Sequence, residues 1–261
     1  MANPFFQCKE FIVHQQHTSM KVCTDACLFG AWVSQKTLVQ NANSIIDIGT
    51  GTGLLSLMLA QVTESSKASI TAIEIESQAA IEASSNFKLS KWSERLMLVN
   101  DSIQNFATSI SKGEYVSKGL NNNFLFDIII SNPPFYEGDL KSPDANKNKA
   151  AHSTELPWTS LVDNVSSLLT DAGSFFVLVP TLRAYTMQKL AEAQLLQLVE
   201  EVLVYNDAKH LPFRSFLHFK KAKSPIDKDI SVLRNKMVIK NTDNTYSTEF
   251  TELLKDYYLY L

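Results

Sequence analysis

Short apolar runs alternate with longer segments of helical composition along the first two-thirds of the chain. This pattern predicts a strand at each apolar run and helices between the strands. The predicted strands cover residues 45–48, 69–75, 96–100, 126–131, 173–179, 198–205 and 214–219, and the predicted helices cover 54–62, 77–89, 158–169, 182–193 and 247–258. We therefore expect an α/β, doubly wound fold with a mostly parallel seven-stranded sheet and helices on both faces.

Three polar segments interrupt this pattern. Residues 108–123 predict an insertion, residues 137–157 a long functional loop, and residues 221–230 a solvated connection. Ser77 is expected to cap the helix that begins there. We expect a single domain overall, made of an N-terminal extension that completes the pocket, a core, and a C-terminal extension packed on the core, over residues 1–43, 44–220 and 221–261.

Composition narrows the classes of function. The 261 residues carry a net charge of −3, so a nucleic-acid partner requires local basic patches. No apolar run predicts a membrane span, and the N-terminus lacks the features of a secretory signal. Cys8, Cys23 and Cys27 form no CxxC pair, and the histidines have no metal-ligand spacing. We expect a cytoplasmic protein with neither a disulfide framework nor a metal.

A glycine-rich turn, DIGTGTG, begins at Asp47 and follows the first predicted strand. Gly49, Gly51 and Gly53 allow the backbone to approach a ligand closely. Their spacing differs from the G-x-G-x-x-G of dinucleotide enzymes, which bind a pyrophosphate. Glu74 ends the next strand, where a carboxylate can accept hydrogen bonds from both hydroxyls of a ribose. The alternative is an ordinary tight turn, but the combined pattern favours a site for S-adenosylmethionine.

Asp101 stands at the end of the third predicted strand. Because parallel strands end at the same edge of a sheet, we expect it at the rim of the same crevice. Its carboxylate can accept a hydrogen bond from the adenine amino group of the cofactor. The alternative role is a cap for the helix that follows.

The tetrapeptide NPPF begins at Asn132, directly after the fourth predicted strand. Pro133 and Pro134 fix the backbone and remove two amide donors. The Asn132 side-chain oxygen and the Pro133 carbonyl can then accept both hydrogens of a planar amino group, and Phe135 can stack on the ring that carries it. An N-P-P sequence alone is a common turn, but its place after the glycine motif and Asp101 predicts a catalytic group for amino methylation.

Two lysine clusters are candidates for contact with phosphates. Lys141, Lys147 and Lys149 lie in the loop after NPPF, and a second cluster contains Lys220, Lys221 and Lys223. Each cluster is either a solvated surface or a phosphate contact, and a phosphate contact would make binding depend on salt concentration.

Nearly end to end, the chain resembles the bacterial methyltransferases that form N6-methyladenine next to the anticodon of a valine tRNA. Besides DIGTGTG and NPPF, the resemblance is carried by MKVCTDACLFGAW at residues 20–32, IEIES at 73–77, and the tyrosine-containing segments at 246–247 and 257–259. It implies a Rossmann-like class I methyltransferase fold, S-adenosylmethionine as cofactor and tRNA as substrate.

The resemblance also implies that Lys21, Thr24 and Asp25 lie close to the cofactor pocket, which Asn132 borders as well. The family often has Arg before an aromatic residue or His after the NPP loop, where this chain has Ala151 before His152. If that Arg contacts RNA in the family, this chain binds its substrate differently.

Other functions stay open at this point. Sites of the NPP type also serve rRNA guanine, DNA adenine and protein glutamine. A DNA enzyme usually needs a long recognition insertion, and a glutamine enzyme usually has a sizeable N-terminal helical domain, whereas only about 43 residues precede the first predicted strand. A third class is a cofactor-binding assembly factor without catalysis, which the intact Asn132, Pro133 and Phe135 argue against. The sequence indicates no oligomeric state.

Overall fold

The computed structural model describes residues 3–18, 20–115, 124–134, 157–222 and 231–261. The strands are β1 (Phe5–Gln7), β2 (Ile12–His14), β3 (Ser44–Ile48), β4 (Ser69–Glu74), β5 (Leu96–Asn100), β6 (Phe126–Ser131), β7 (Leu169–Pro180), β8 (Leu196–Asp207), β9 (Arg214–Lys221) and β10 (Leu233–Lys240). The α-helices are α1 (Thr24–Ser34), α2 (Thr37–Gln40), α3 (Leu54–Val62), α4 (Ser77–Leu89), α5 (Ile103–Ser111), α6 (Trp158–Leu168), α7 (Ala184–Ala193) and α8 (Thr248–Leu254).

The central sheet confirms the predicted α/β architecture. Its strands lie in the order β10-β8-β9-β7-β6-β3-β4-β5, and in this sheet only β9 runs antiparallel to its neighbours. The carboxyl ends of β3, β4, β5 and β6 therefore meet at one edge. In an open parallel sheet, this edge is where ligands bind.

The sheet has eight strands where the sequence predicted seven. The additional strand is β10, which pairs in parallel with β8 at the edge of the sheet. Only Met237 and Ile239 of β10 are buried, and Arg234, Lys236 and Lys240 are charged. Charged side chains are common on edge strands because they discourage pairing with other chains, but they weaken the apolar alternation that a prediction relies on.

Some helices begin or end at residues other than those predicted from the sequence. Glu76, not Ser77, caps α4, since its carboxylate accepts hydrogen bonds from the amides of Gln78 and Ala79. The last helix ends at Leu254 rather than at residue 258. The hairpin of β1 and β2 and the helices α1, α2 and α5 were not predicted.

The strands supply two cores, one on each face of the sheet. Ile128 and Ile130 of β6 belong to one core and Ile129 to the other, as the two-residue period of a strand requires. Helices α1, α3 and α8 cover the first core, and α5, α6 and α7 cover the second. Burial on both faces explains why the central strands are continuously apolar.

The two ends of the chain pack against each other on the first core. The Lys9 amide donates to the Tyr257 carbonyl over 2.8 Å, and Cys8 forms an isolated β-bridge with Tyr258. The buried Tyr257 hydroxyl donates to Ser34 Oγ at the end of α1 over 2.8 Å. In the described part of the chain, no helix combines the length and the apolar character needed to cross a bilayer.

Candidate active site

A cavity of about 540 Å³ opens at the carboxyl edge of the sheet, between the ends of β3, β4, β5 and β6. Isoleucines line its apolar part, at positions 48, 73, 75 and 103. Seven of the predicted site residues also line it: Gly49, Gly51, Glu74, Asp101, Asn132, Pro133 and Pro134. Residues that lie up to 85 positions apart are thus brought to one site, as the shared strand edge predicts.

The glycine turn divides into two parts. Gly49 and Gly51 adopt φ of +73° and +57° and border the cavity, and a Cβ atom added to either would meet nothing within 4 Å. Gly53 adopts φ of +85°, but a Cβ atom there would lie 2.5 Å from the Phe87 ring. Gly53 therefore leaves room for the Phe87 ring of α4 at the start of α3 and does not border the cavity.

Asp47 lies beneath the turn and is completely buried. Its Oδ2 accepts hydrogen bonds from the hydroxyls of Thr50, over 2.6 Å, and Ser56, over 2.8 Å. Burial raises the pKa of the Asp47 carboxyl to about 6, although these hydrogen bonds lower it. Asp47 does not line the cavity, so the structure gives it the role of holding the turn.

Glu74 connects the end of β4 to the glycine turn. Its Oε2 accepts a hydrogen bond from the Gly51 amide over 2.8 Å, and its Oε1 accepts one from the Glu76 amide over 2.9 Å. Burial raises the pKa of the Glu74 carboxyl, and the two amide hydrogen bonds lower it. Unlike Asp47, this carboxylate belongs to a residue that lines the cavity.

Asp101 lines the cavity and is not the cap of the next helix. Ser102 is the cap of α5, because its hydroxyl accepts from the Asn105 amide over 3.1 Å. Asp101 Oδ1 accepts from the Ser102 amide over 2.7 Å and from the Asn105 side chain over 2.8 Å. Oδ2 accepts no hydrogen bond from the described residues, which leaves it for a ligand.

The Asn132-Pro133-Pro134 segment begins where β6 is fastened to β3. The buried Ser131 hydroxyl donates to the Ile48 carbonyl over 2.8 Å. Asn132 Oδ1 is buried and has no hydrogen-bond partner among the described residues. A buried carbonyl oxygen without a donor is unusual in a folded protein, so this atom is a candidate acceptor for a substrate donor. Phe135 lies outside the described residues.

Lys21, Thr24 and Asp25 do not line the cavity. Lys21 Nζ donates to the Gln15 carbonyl, Thr24 begins α1 and is exposed, and Asp25 forms an ion pair with Arg214 over 2.8 Å. Two neighbours that the sequence reasoning missed, Thr18 and Met20, do line it. Their only signal was position: Met20 is the first residue of the segment 20–32, which carries the resemblance, and Thr18 lies two residues before it.

Two lysines of the second cluster, Lys220 and Lys221, lie far from this edge. Lys220 pairs with Ser174 of β7, at the level where β6 begins, and Lys221 Nζ donates to the Leu169 carbonyl over 2.9 Å. Both side chains are therefore at the amino edge of the sheet, opposite the cavity. Lys223 and the first cluster of Lys141, Lys147 and Lys149 lie outside the described residues, as do Ala151 and His152. Among the described residues, no group of His, Cys, Asp and Glu side chains can hold a metal ion.

Comparisons with known proteins agree on a methyltransferase. The profile of the methyltransferase small domain matches residues 29–179. The chain is 35% identical over 259 residues to a tRNA1(Val) (adenine(37)-N6)-methyltransferase of Bacteroides fragilis, with 99% of each chain covered. A predicted O-methyltransferase of Agrobacterium tumefaciens superimposes with a TM-score of 0.61, covering 89% of this chain and 96% of that one at 15% identity. P. horikoshii TYW2, solved with MeSAdo, gives 0.56 at 13% identity, covering 84% and 71%.

Proposed function

Since the chain belongs to the family of tRNA1(Val) (adenine(37)-N6)-methyltransferases, we propose that it transfers a methyl group from S-adenosylmethionine to the exocyclic amino group of an adenine in tRNA, next to the anticodon. The observation that carries this proposal is that the buried Oδ1 of Asn132 has no donor among the described residues and that Asn132 lines a cavity which the glycine turn also borders. A valine tRNA is the substrate we propose, and a cytoplasmic location accords with it.

The cavity fits S-adenosylmethionine in size and in chemistry. A volume of about 540 Å³ is within the usual range of small-molecule sites. Glu74 offers a carboxylate to ribose hydroxyls, Asp101 offers Oδ2 to the adenine amino group, and isoleucines flank the space between them. The open approach at Gly49 and Gly51 admits the ligand close to the backbone. When bound, the cofactor supplies an electrophilic methyl group on a sulfonium.

Asn132 and Pro133 are the residues that we propose hold the acceptor amine. The Asn132 side-chain oxygen and the Pro133 carbonyl accept its two hydrogens, which directs the nitrogen lone pair towards the methyl group. Pro133 and Pro134 have no N–H that could compete for the lone pair. Positioning of reacting groups supplies up to about 7–11 kcal/mol of barrier reduction, so no strong general base is required. After the methyl group has transferred, the methylated amine gives its surplus proton to solvent.

The surface at the same edge of the sheet as the acceptor site suits an unstacked nucleic acid. Leu182 and Tyr185 follow the carboxyl end of β7 and are 95% and 70% exposed, and Leu211 in the β8–β9 connection is 86% exposed. Lys209 and His210 are exposed beside Leu211. We define these five residues as the edge patch. Bases splayed out of a loop stack on apolar and aromatic side chains, and the ammonium group of Lys209 can contact a phosphate near them.

Methyl transfer from labelled cofactor into total RNA, total protein and DNA, measured side by side, tests the proposed function. We expect label in tRNA, recovered as N6-methyladenosine after digestion to nucleosides. Label only in rRNA, DNA or protein would mean that tRNA is not the substrate, although the protein does transfer methyl groups. No transfer to any pool, despite cofactor binding, would indicate an assembly factor.

The variant Asn132→Ala tests the acceptor site itself. We expect kcat on tRNA to fall at least 100-fold, because the amine loses an acceptor that positions it. Affinity for S-adenosylhomocysteine, measured by calorimetry, should change less than about threefold, since Asn132 contacts the acceptor. Asn241→Ala, in the exposed turn after β10, is the matched control and should keep wild-type kcat. Wild-type activity in Asn132→Ala would exclude this role.

A further inference from the structure

The residues just before the segment 20–32 are fastened to α4 by a buried carboxylate. Glu82 is 5% exposed and accepts hydrogen bonds from three successive backbone amides. These belong to Gln16, to His17 over 3.1 and 3.2 Å, and to Thr18 over 3.0 Å. Successive amides that converge on one anion are a typical backbone anion site, here occupied by a side chain of the same protein.

A second residue of α4 extends this attachment to the glycine turn. Asn86, one turn after Glu82, exchanges two hydrogen bonds of 2.9 Å with the backbone of His14. Its Nδ2 also donates to the Thr52 carbonyl, again over 2.9 Å. The N-terminal segment, α4 and the turn at residues 49–53 are therefore joined through one buried side chain, which is 1% exposed.

Thr18 is the residue that this attachment brings to the cavity. It lines the cavity and is 6% exposed, and its amide is occupied by Glu82. Its hydroxyl is buried and has no hydrogen-bond partner among the described residues. Buried hydroxyls are nearly always satisfied in native proteins, so this hydroxyl is a candidate hydrogen-bond partner for a ligand in the cavity that Thr18 lines.

We infer that Thr18 is a further ligand of the cofactor, which it contacts by a hydrogen bond between its hydroxyl and a polar group of bound S-adenosylmethionine. Glu82 is a positioning residue that acts through the backbone of residues 16–18. The inference rests on the proposed function, because it assumes that S-adenosylmethionine occupies this cavity. It assigns to the N-terminal segment a direct part in cofactor binding that does not involve Lys21, Thr24 or Asp25.

The test compares Thr18→Val, which keeps the shape and removes the hydroxyl, with Thr18→Ser, which keeps the hydroxyl. Calorimetry with S-adenosylhomocysteine should give an affinity about tenfold weaker for Thr18→Val and within about threefold of wild type for Thr18→Ser. Urea unfolding without cofactor should show Thr18→Val at least as stable as wild type, because no protein hydrogen bond is lost. Equal affinity of wild type and Thr18→Val would overturn the inference.

Glu82→Gln tests the positioning role. Fewer acceptor electron pairs then face the three amides, so hydrogen exchange at residues 16–18 should accelerate in the cofactor-free protein. Cofactor affinity should fall, and the Glu82→Gln/Thr18→Val double variant should lose less than the sum of the two single losses. Glu64→Gln, an exposed carboxylate, is the matched control for charge. Full additivity would mean that Glu82 does not act through Thr18.

Two outcomes separate this inference from the proposed function. If the wild-type protein does not bind S-adenosylhomocysteine, the proposed function fails and the role of Thr18 fails with it. If wild type binds it and Thr18→Val binds it equally well, only the role of Thr18 fails. A loss of stability without cofactor in Thr18→Val, at unchanged affinity, would assign the hydroxyl to the fold alone.

Discussion

At the scale of single residues, the carboxylates of Asp47 and Glu74 lie close to the same glycine turn but have different roles. Both follow from the same sequence pattern, and both have a raised pKa because they are buried. Asp47 accepts hydrogen bonds from the hydroxyls of Thr50 in the turn and Ser56 in α3, whereas Glu74 accepts from the backbone and borders the cavity. The expected effect of substituting Asp47 on cofactor binding is therefore indirect, through the shape of the turn.

Glu74→Gln should weaken the binding of S-adenosylhomocysteine. Gln keeps the shape and one acceptor oxygen, but it cannot accept from the Gly51 amide, the Glu76 amide and a ribose together. The loss of an acceptor for a ribose hydroxyl corresponds to about 1–3 kcal/mol. Calorimetry measures it, and Glu64→Gln again serves as the control. Unchanged affinity would remove Glu74 from the cofactor site.

At the scale of elements, the antiparallel strand β9 decides which loops lie beside the cavity. Pro180 of β7 pairs with Arg214 of β9, and Arg214 also pairs with Val204 of β8. The β8–β9 connection therefore lies at the carboxyl edge, and the lysines at the end of β9 lie at the opposite edge. The edge patch therefore lies at the same edge of the sheet as the acceptor site, and Lys220 and Lys221 do not. The phosphate contacts predicted for Lys141, Lys147 and Lys149 stay a prediction.

Replacing Tyr185 and Leu211 of the edge patch together with Ala should weaken tRNA binding about tenfold. The reason is the loss of stacking, which is worth about 1–3 kcal/mol per base. Both side chains are exposed, so the free energy of unfolding should change by less than about 0.5 kcal/mol each. Filter binding of tRNA measures the affinity. Lys220→Ala at the opposite edge should keep the tRNA affinity within about twofold of wild type. An equal loss of affinity in this variant and in the Tyr185/Leu211 double variant would contradict tRNA binding at the edge patch.

At the scale of the whole molecule, a buried polar network joins strands of the sheet. His218 of β9 donates to or accepts from Ser174 Oγ over 3.0 Å and stacks on Phe176 at 4.3 Å between ring centroids. Glu200 of β8 lies 4.0 Å from His218 Nδ1, but Lys36 neutralises it over 2.6 Å. Burial, followed by the charges of Lys36 and Lys220, lowers the pKa of His218 to about 3.

This network should make the protein sensitive to acid. Below pH 6.5 the unfolded chain protonates His218 while the folded protein does not, so stability falls as the pH falls towards 3. Between pH 6.5 and 4 the loss attributable to His218 is about 3 kcal/mol. Urea unfolding at several pH values measures the free energy of unfolding as a function of pH, which should fall less steeply towards acid for His218→Gln than for wild type. If the free energies of the two proteins depend on pH in the same way, His218 titrates normally in the folded state.

The sequence by itself determined seven strands of the central sheet, five of the helices, the glycine turn and the NPP segment. These features depend on local chemistry: the periods of a strand and a helix, the positive φ that glycine permits, and the missing amides of proline. Because parallel strands end at one edge, it also placed Glu74, Asp101 and Asn132 at one cavity.

Only the tertiary structure decided the rest. Asp47 supports the glycine turn from below, whereas Glu74 lines the cavity. Strand β10 extends the sheet at its edge, and Lys220 lies at the edge opposite the cavity. The tertiary structure also brought Thr18 to the cavity through Glu82, a residue 64 positions further along the chain. No local pattern contains these results, because each depends on contacts between residues distant in sequence. Such contacts exist only after the sheet has assembled and removed the competing water.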